Sequence, residues 1–306
     1  MFGKGVEIRL FLFVVSLFLL SHCDLAVSGI LVGRARYIDL CTSLFGDMSS
    51  GEIVKIWEDE DISCVHFVVC SSVSVEIEKY KELARFCKER EIEVVLTFSS
   101  DFFKSYSRES EVFCCNDKRF ILDVGCAVKE VISSIDVRGV GVELKVISDE
   151  DICKHFMRCN YCREKFSSKY KKCAIGQLYT NKDKRKVLRL ARESRYEDVV
   201  NFINNLFCTI EAERMNVVKF IIFDYNVDRE IVKFVTNKVK PNAVGLKISE
   251  NDIDEKEIKR IENIIADIHW RKAAALIICP DDKKLVDKLN TIGTLVEQYI
   301  FYFGDK

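Results

Sequence analysis

Short apolar runs alternate with amphipathic stretches along most of the chain. Eight of the runs read as strands: ARYIDLC (35–41), SCVHFVVC (63–70), EVVLTF (93–98), VRGVGVEL (137–144), CAIGQLY (173–179), VVKFIIF (217–223), AVGLKI (243–248) and AAALIIC (273–279). Between them apolar residues recur at helical spacing. In VEIEKYKELARFCKER, for example, Ile77, Tyr80, Ala84 and Cys87 share one face beneath a charged one. Ser194 with Glu197 reads as a capping box opening the helix EDVVNFINNLFCTIEAER, and a last helix is predicted over roughly 283–303. Strand and helix units in this number predict an α/β fold, a single-domain (β/α)8 TIM barrel. The chain between Ile248 and Ala273 holds one helix and little more, so no large α+β insertion is expected there. A doubly wound open sheet is the competing architecture, but the first strand lacks a glycine-rich phosphate loop.

The amino end changes the picture of where the chain works. A cationic stretch, FGKGVEIR, precedes the apolar run LFLFVVSLFLL and then Ala26-Val27-Ser28, which predicts a secretory signal peptide over 1–28 and a barrel over 29–306. The expectation is a secreted, extracellular protein. The apolar run is shorter than the ~18 to 20 residues of a membrane span, and an uncleaved anchor is the alternative. No later stretch is apolar enough to cross a bilayer. Net charge is −1 with the two signs mixed along the chain and no sustained basic block, so no nucleic-acid partner is expected. No cofactor motif is present, and no Asn-x-Ser/Thr sequon occurs.

Candidate chemistry concentrates on the fourth predicted strand. In a barrel, alternate residues face the lumen, so Val140, Val142 and Leu144 face the helices while Gly141, Glu143 and Lys145 rise toward the mouth. The stretch NDKRFILDVGCAVKEVISSIDVRGVGVELK, Asn116 to Lys145, resembles the third helix and fourth strand of glycoside hydrolase family 18, the chitinases and chitinase-like lectins. VHFVVC is similar to that family's second strand, VVLTFSS to its third, and IIFD, ending at Asp224, to its sixth.

The resemblance implies substrate-assisted hydrolysis of N-acetylglucosamine polymers, with a glutamic acid as proton donor. The departures argue against that activity. Arg138, Gly141 and Glu143 stand where the family has three Asp residues, and Lys145 stands where it has the catalytic Glu. Thr97-Phe98-Ser99-Ser100 lacks the family's glycines, Phe223 replaces its acetamido-binding Tyr, and Cys279-Pro280-Asp281 stands where its last strand ends in Trp. A lysine starts near 10.4, and bringing it to about 7 costs on the order of 4 to 5 kcal/mol. Glu143 lies roughly 6.6 Å deeper along the strand, too far to replace the donor.

The expectation is therefore a chitinase-like pseudoenzyme that binds carbohydrate or serves a structural role. Glu143, Lys145, Gln177, Tyr179, Asp224 and Tyr225 are the candidate sugar-binding residues. Two alternatives stay open: Glu143 and Lys145 form an internal ion pair that fills the lumen, or Glu143 and Asp224 act catalytically in shifted roles.

The cysteines supply a further candidate. CKHFMRCNYCREKFSSKYKKC holds Cys153, His155, Cys159, Cys162 and Cys173, a spacing that serves disulfides in an oxidising compartment or a structural zinc. Cys114 and Cys115 are adjacent and each is expected to find a distant partner. His66, mid-strand, and His269, beside Trp270, read as packed side chains. Asp281-Asp282 reads as a helix start or a weak cation site.

Overall fold

The computed structural model describes residues 34–38, 48–70, 74–107, 114–145, 147–170, 184–249, 253–292, 296 and 298–302. Within them eight parallel strands form a closed barrel in chain order: β1 (Arg34–Ile38), β2 (Ile62–Val69), β3 (Glu93–Phe98), β4 (Gly139–Leu144), β5 (Val218–Asp224), β6 (Ala243–Lys247), β7 (Ala274–Cys279) and β8 (Gln298–Tyr302). The predicted (β/α)8 barrel is the fold, and all but one of the predicted strands lie within a few residues of their expected places.

Two expectations are corrected at the remaining positions. CAIGQLY (173–179), with Gln177 and Tyr179, lies outside the described residues. β4 pairs directly with β5, from Gly139↔Val218 to Leu144↔Phe223, so no other strand stands between them. The eighth place is filled by Gln298–Tyr302, inside the stretch expected to be helical. Period-two alternation explains why: Ile300 enters the lumen fully buried, while Phe301 turns outward beneath the Arg36 guanidinium.

Ten helices are described: α1 (Ser50–Asp59), α2 (Ser74–Glu89), α3 (Ser100–Ser105), α4 (Lys118–Ser134), α5 (Asp149–Arg158), α6 (Asn160–Lys169), α7 (Lys184–Glu213), α8 (Arg229–Val239), α9 (Glu255–Trp270) and α10 (Lys283–Leu289). Their starts follow local chemistry. Ser49 with Glu52 and Asp254 with Glu257 form capping boxes, and each cap stabilises its helix by about 1 kcal/mol. Ser194 is no cap. It lies buried inside α7, because Val187 and Ala191 continue the apolar face upstream of it.

Burial falls into layers. Outward strand residues such as Phe67, Leu96, Val140, Val142, Ile221 and Ile277 belong to the same core as Ile264, Ile265 and Ile268 of α9 and Tyr80 and Cys87 of α2. Each such aliphatic side chain contributes about 1.5 to 3 kcal/mol by leaving water. The lumen holds a separate cluster, including Ala35, Cys64, Val95, Phe220, Ile222, Leu276 and Ile300. A third cluster (Ile152, Phe156, Cys162, Phe166, Val187, Ala191) joins α5, α6 and the first half of α7 into a helical elaboration after β4.

Gly139 is required by the lumen packing. A Cβ there would stand 2.6 Å from Phe220 Cε2 and 3.1 Å from Val95 Cγ2, and both neighbours are fully enclosed. Gly139→Ala is expected to destabilise the barrel by about 1 to 3 kcal/mol, read from urea midpoints; an unchanged midpoint would show that the ring has room to move.

Candidate functional site

Strand ends at the carboxyl side of the barrel bring together a buried carboxylate, a phenol and an amine. Glu143, second from the end of β4, is only 3% exposed. Its Oε2 accepts a hydrogen bond from the Tyr37 hydroxyl of β1 at 3.0 Å, and its Oε1 accepts one from Lys247 Nζ of β6 at 3.0 Å. The Lys247 ammonium also lies 5.2 Å from the centroid of the Tyr37 ring, a cation–π contact that closes the triangle. Three strands are thus tied across the mouth by one carboxylate whose two oxygens are both engaged.

Lys145 stands just past the end of β4 at the rim and does not pair with Glu143. Its Nζ donates to Asp101 Oδ2 at 2.9 Å, and about half of its side chain remains exposed. Partial burial works to lower the ammonium, but the hydrogen bond and charge of Asp101, aided by Glu143, hold it above its ordinary value. The Lys145 hydrogen bond in turn holds the Asp101 carboxyl below the usual carboxylate range, with Lys104 adding to it at 3.2 Å. In place of the alternative Glu143–Lys145 pair stand two pairs, Glu143 with Lys247 and Lys145 with Asp101.

Asp224, last in β5, stands opposite Lys247 in the β5/β6 register and is partly buried. It ends the fifth strand of the barrel, although the resemblance assigned IIFD to the sixth. Tyr225 is 7% exposed within the core between strands and helices, its hydroxyl 3.4 Å from Glu257 Oε1, so it presents no open ring to a sugar. Gln177 and Tyr179 lie outside the described residues.

Beneath the triangle, His66 and Thr97 are fully buried in the lumen. His66 packs against the Tyr37 and Phe220 rings, and neither ring nitrogen has a hydrogen-bond partner among the described residues. Burial pushes its imidazole down to about 3, so it stays neutral. Asp282 caps α10 by accepting from Lys284 N and Leu285 N, and Asp281 pairs with Arg36, so the Asp281-Asp282 pair serves as a helix start.

The cysteine-rich segment gathers differently from its spacing. Cys114, from before α4, joins His155, Cys159 and Cys162, whereas Cys153 is not one of the four and Cys173 lies outside the described residues. Cys114 Sγ is 3.4 Å from Cys159 Sγ and 3.5 Å from Cys162 Sγ, well beyond the ~2.05 Å of a disulfide.

Sequence patterning did not single out Lys247, Tyr37 or Asp101. A signal was present for the first: Ala243, Gly245 and Lys247 repeat the small, small, charged succession of Gly139, Gly141 and Glu143 on the lumen side.

No family model matches the sequence, and no curated protein matches it. Solved barrels do. The virulence factor SghA in complex with its substrate analog salicin superposes with a TM-score of 0.51 at 8% identity, over 92% of this chain and 88% of that one. SghA from Agrobacterium tumefaciens superposes at 0.50 and 7% identity, over 92% and 90% of the two chains. The beta-glycosidase BGL167 reaches 0.49 at 11% identity, over 83% of this chain and 75% of that one. At such identities the two SghA matches agree with the barrel as a fold and say nothing of its chemistry.

Proposed function

We propose that this barrel is a secreted carbohydrate-binding protein of chitinase-like type that does not hydrolyse its ligand. The observation that carries the reading is the Lys145–Asp101 pair at the rim, where the resemblance puts the proton donor. An ammonium held charged by a carboxylate cannot deliver a proton to a glycosidic oxygen near neutral pH, and loss of a positioned acid removes a factor of about 10² to 10⁴ in rate. Glu143 does not take over, since both of its oxygens are committed to Tyr37 and Lys247 below the rim. Asp224 and Lys145 are the groups proposed to meet the hydroxyl and acetamido groups of N-acetylglucosamine oligomers. Among the described residues no helix is long and apolar enough to cross a membrane, which is compatible with export after removal of 1–28.

Calorimetric titration with chito-oligosaccharides tests the binding half of this reading. Heat saturating at one oligomer per chain, with affinity reduced at least about tenfold in Asp224→Asn, is the expected result. Absence of binding both to soluble oligomers and to chitin beads would leave a structural role instead.

A further inference from the structure

The geometry points to a structural zinc site formed by Cys114, His155, Cys159 and Cys162, which fastens the helical elaboration after β4 to the segment that leads into α4. The four donor atoms all lie within 4.8 Å of one another. A tetrahedral zinc with bonds of about 2.3 Å to sulfur and 2.0 Å to nitrogen sets its ligands roughly 3.5 to 3.8 Å apart. The thiol separations of 3.4 and 3.5 Å stand close to that edge length. Three thiols and an imidazole converging on one point are also more than one disulfide can use. The set is of the Cys3His kind that selects zinc among common metals.

The surroundings fit such a centre. Three thiolates and a neutral imidazole around a divalent ion leave one net negative charge. The Arg195 guanidinium, 1% exposed, supplies a buried positive charge whose field reaches Cys115, Cys162 and Cys114. Asn116 Nδ2 lies 3.6 Å from Cys162 Sγ as a donor to the sulfur, and Asn116 is itself oriented by Lys165 Nζ, 3.1 Å from its Oδ1. Donors of this sort around the ligands are a regular part of a metal site.

The elaboration also has reason to need a fastening. Its own buried cluster is small, Ile152, Phe156, Cys162, Phe166, Val187 and Ala191, and is separate from the cores of the barrel. His155, Cys159 and Cys162 come from α5, the α5/α6 junction and α6, and Cys114 comes from before α4. A metal there adds four bonds to that small core.

The test is metal analysis of the full chain expressed with added zinc, together with cobalt(II) titration of the chelator-stripped protein. One zinc per chain is expected, with a thiolate-to-cobalt charge-transfer band that saturates at one equivalent. Cys159→Ser and Cys114→Ser should lower zinc content or affinity at least about tenfold, whereas Cys153→Ser, on α5 but outside the cluster, should leave both unchanged. Should a ligand variant fail to fold, the stoichiometry and cobalt band of the wild type still decide the matter. Substoichiometric zinc without that band would overturn the proposal, as would a Cys114–Cys159 or Cys114–Cys162 disulfide found by mass mapping of the unreduced protein.

Discussion

Lys247→Met is expected to destabilise the barrel by about 3 to 5 kcal/mol, the largest loss of any single rim substitution. Glu143 has only 4% of its side chain exposed, and Lys247 19% of its own. Removing the ammonium leaves a carboxylate inside a lumen otherwise lined by groups such as Ile222, Leu276 and Ile278, with the Tyr37 hydroxyl as its remaining donor. The cost comes from the stranded charge and not from the contact itself, so Glu143→Gln combined with Lys247→Met should recover most of the loss. Urea unfolding of the two single variants and the double variant measures this. A Lys247→Met effect below about 0.5 kcal/mol, or strictly additive losses, would show that water reaches Glu143.

His66→Leu is expected to remove a large part of the acid sensitivity of the fold. The imidazole is held down to about 3 by burial, against an ordinary value near 6.5. Above 6.5 the ring is neutral in both the folded and the unfolded chain, and pH has no effect through it. Below 6.5 the unfolded chain takes up a proton that the folded chain refuses. Stability therefore falls by about 1.4 kcal/mol per pH unit until the folded value is reached, a loss of roughly 2.7 kcal/mol at about pH 4.5. The leucine variant lacks this proton. Between about pH 7 and 4.5 it should gain roughly 2 to 3 kcal/mol relative to the wild type, and parallel falls would contradict the enclosure of His66. Since neither ring nitrogen has a hydrogen-bond partner among the described residues, an apolar replacement need not cost stability at neutral pH.

The barrel was legible in the sequence because its strands are buried on both faces. A run such as AAALIIC leaves no polar face, and the amphipathic helices between the strands mark where the chain returns. The outward placement of Val140 and Val142 and the inward placement of Glu143 followed from strand parity alone. What parity could not supply was the partner of each charge. Lys145 lies one lumen step above Glu143, yet the strand ends at Leu144 and frees its side chain to reach Asp101 at the start of α3. Glu143 reaches across the lumen to β1 and β6, more than a hundred positions away in the chain in each case.

The last strand was missed for a different reason. Gln298–Tyr302 is short, and it follows α10 closely enough for helical and strand spacings to blur. The cysteine cluster was half legible. His155, Cys159 and Cys162 stand within one turn or two of each other, but Cys114 joins them only through tertiary packing, and nothing in the spacing of Cys114 and Cys115 distinguishes the ligand from its buried neighbour.

Release of fluorophore from N-acetylglucosamine oligomers, followed across the acidic to neutral range, tests most directly whether the rim has lost its proton donor. The wild type, with an ammonium at that position, should stay at the blank rate, as should Glu143→Gln. Turnover by the wild type that disappears in Glu143→Gln would contradict this account and establish a hydrolase that uses the buried carboxylate.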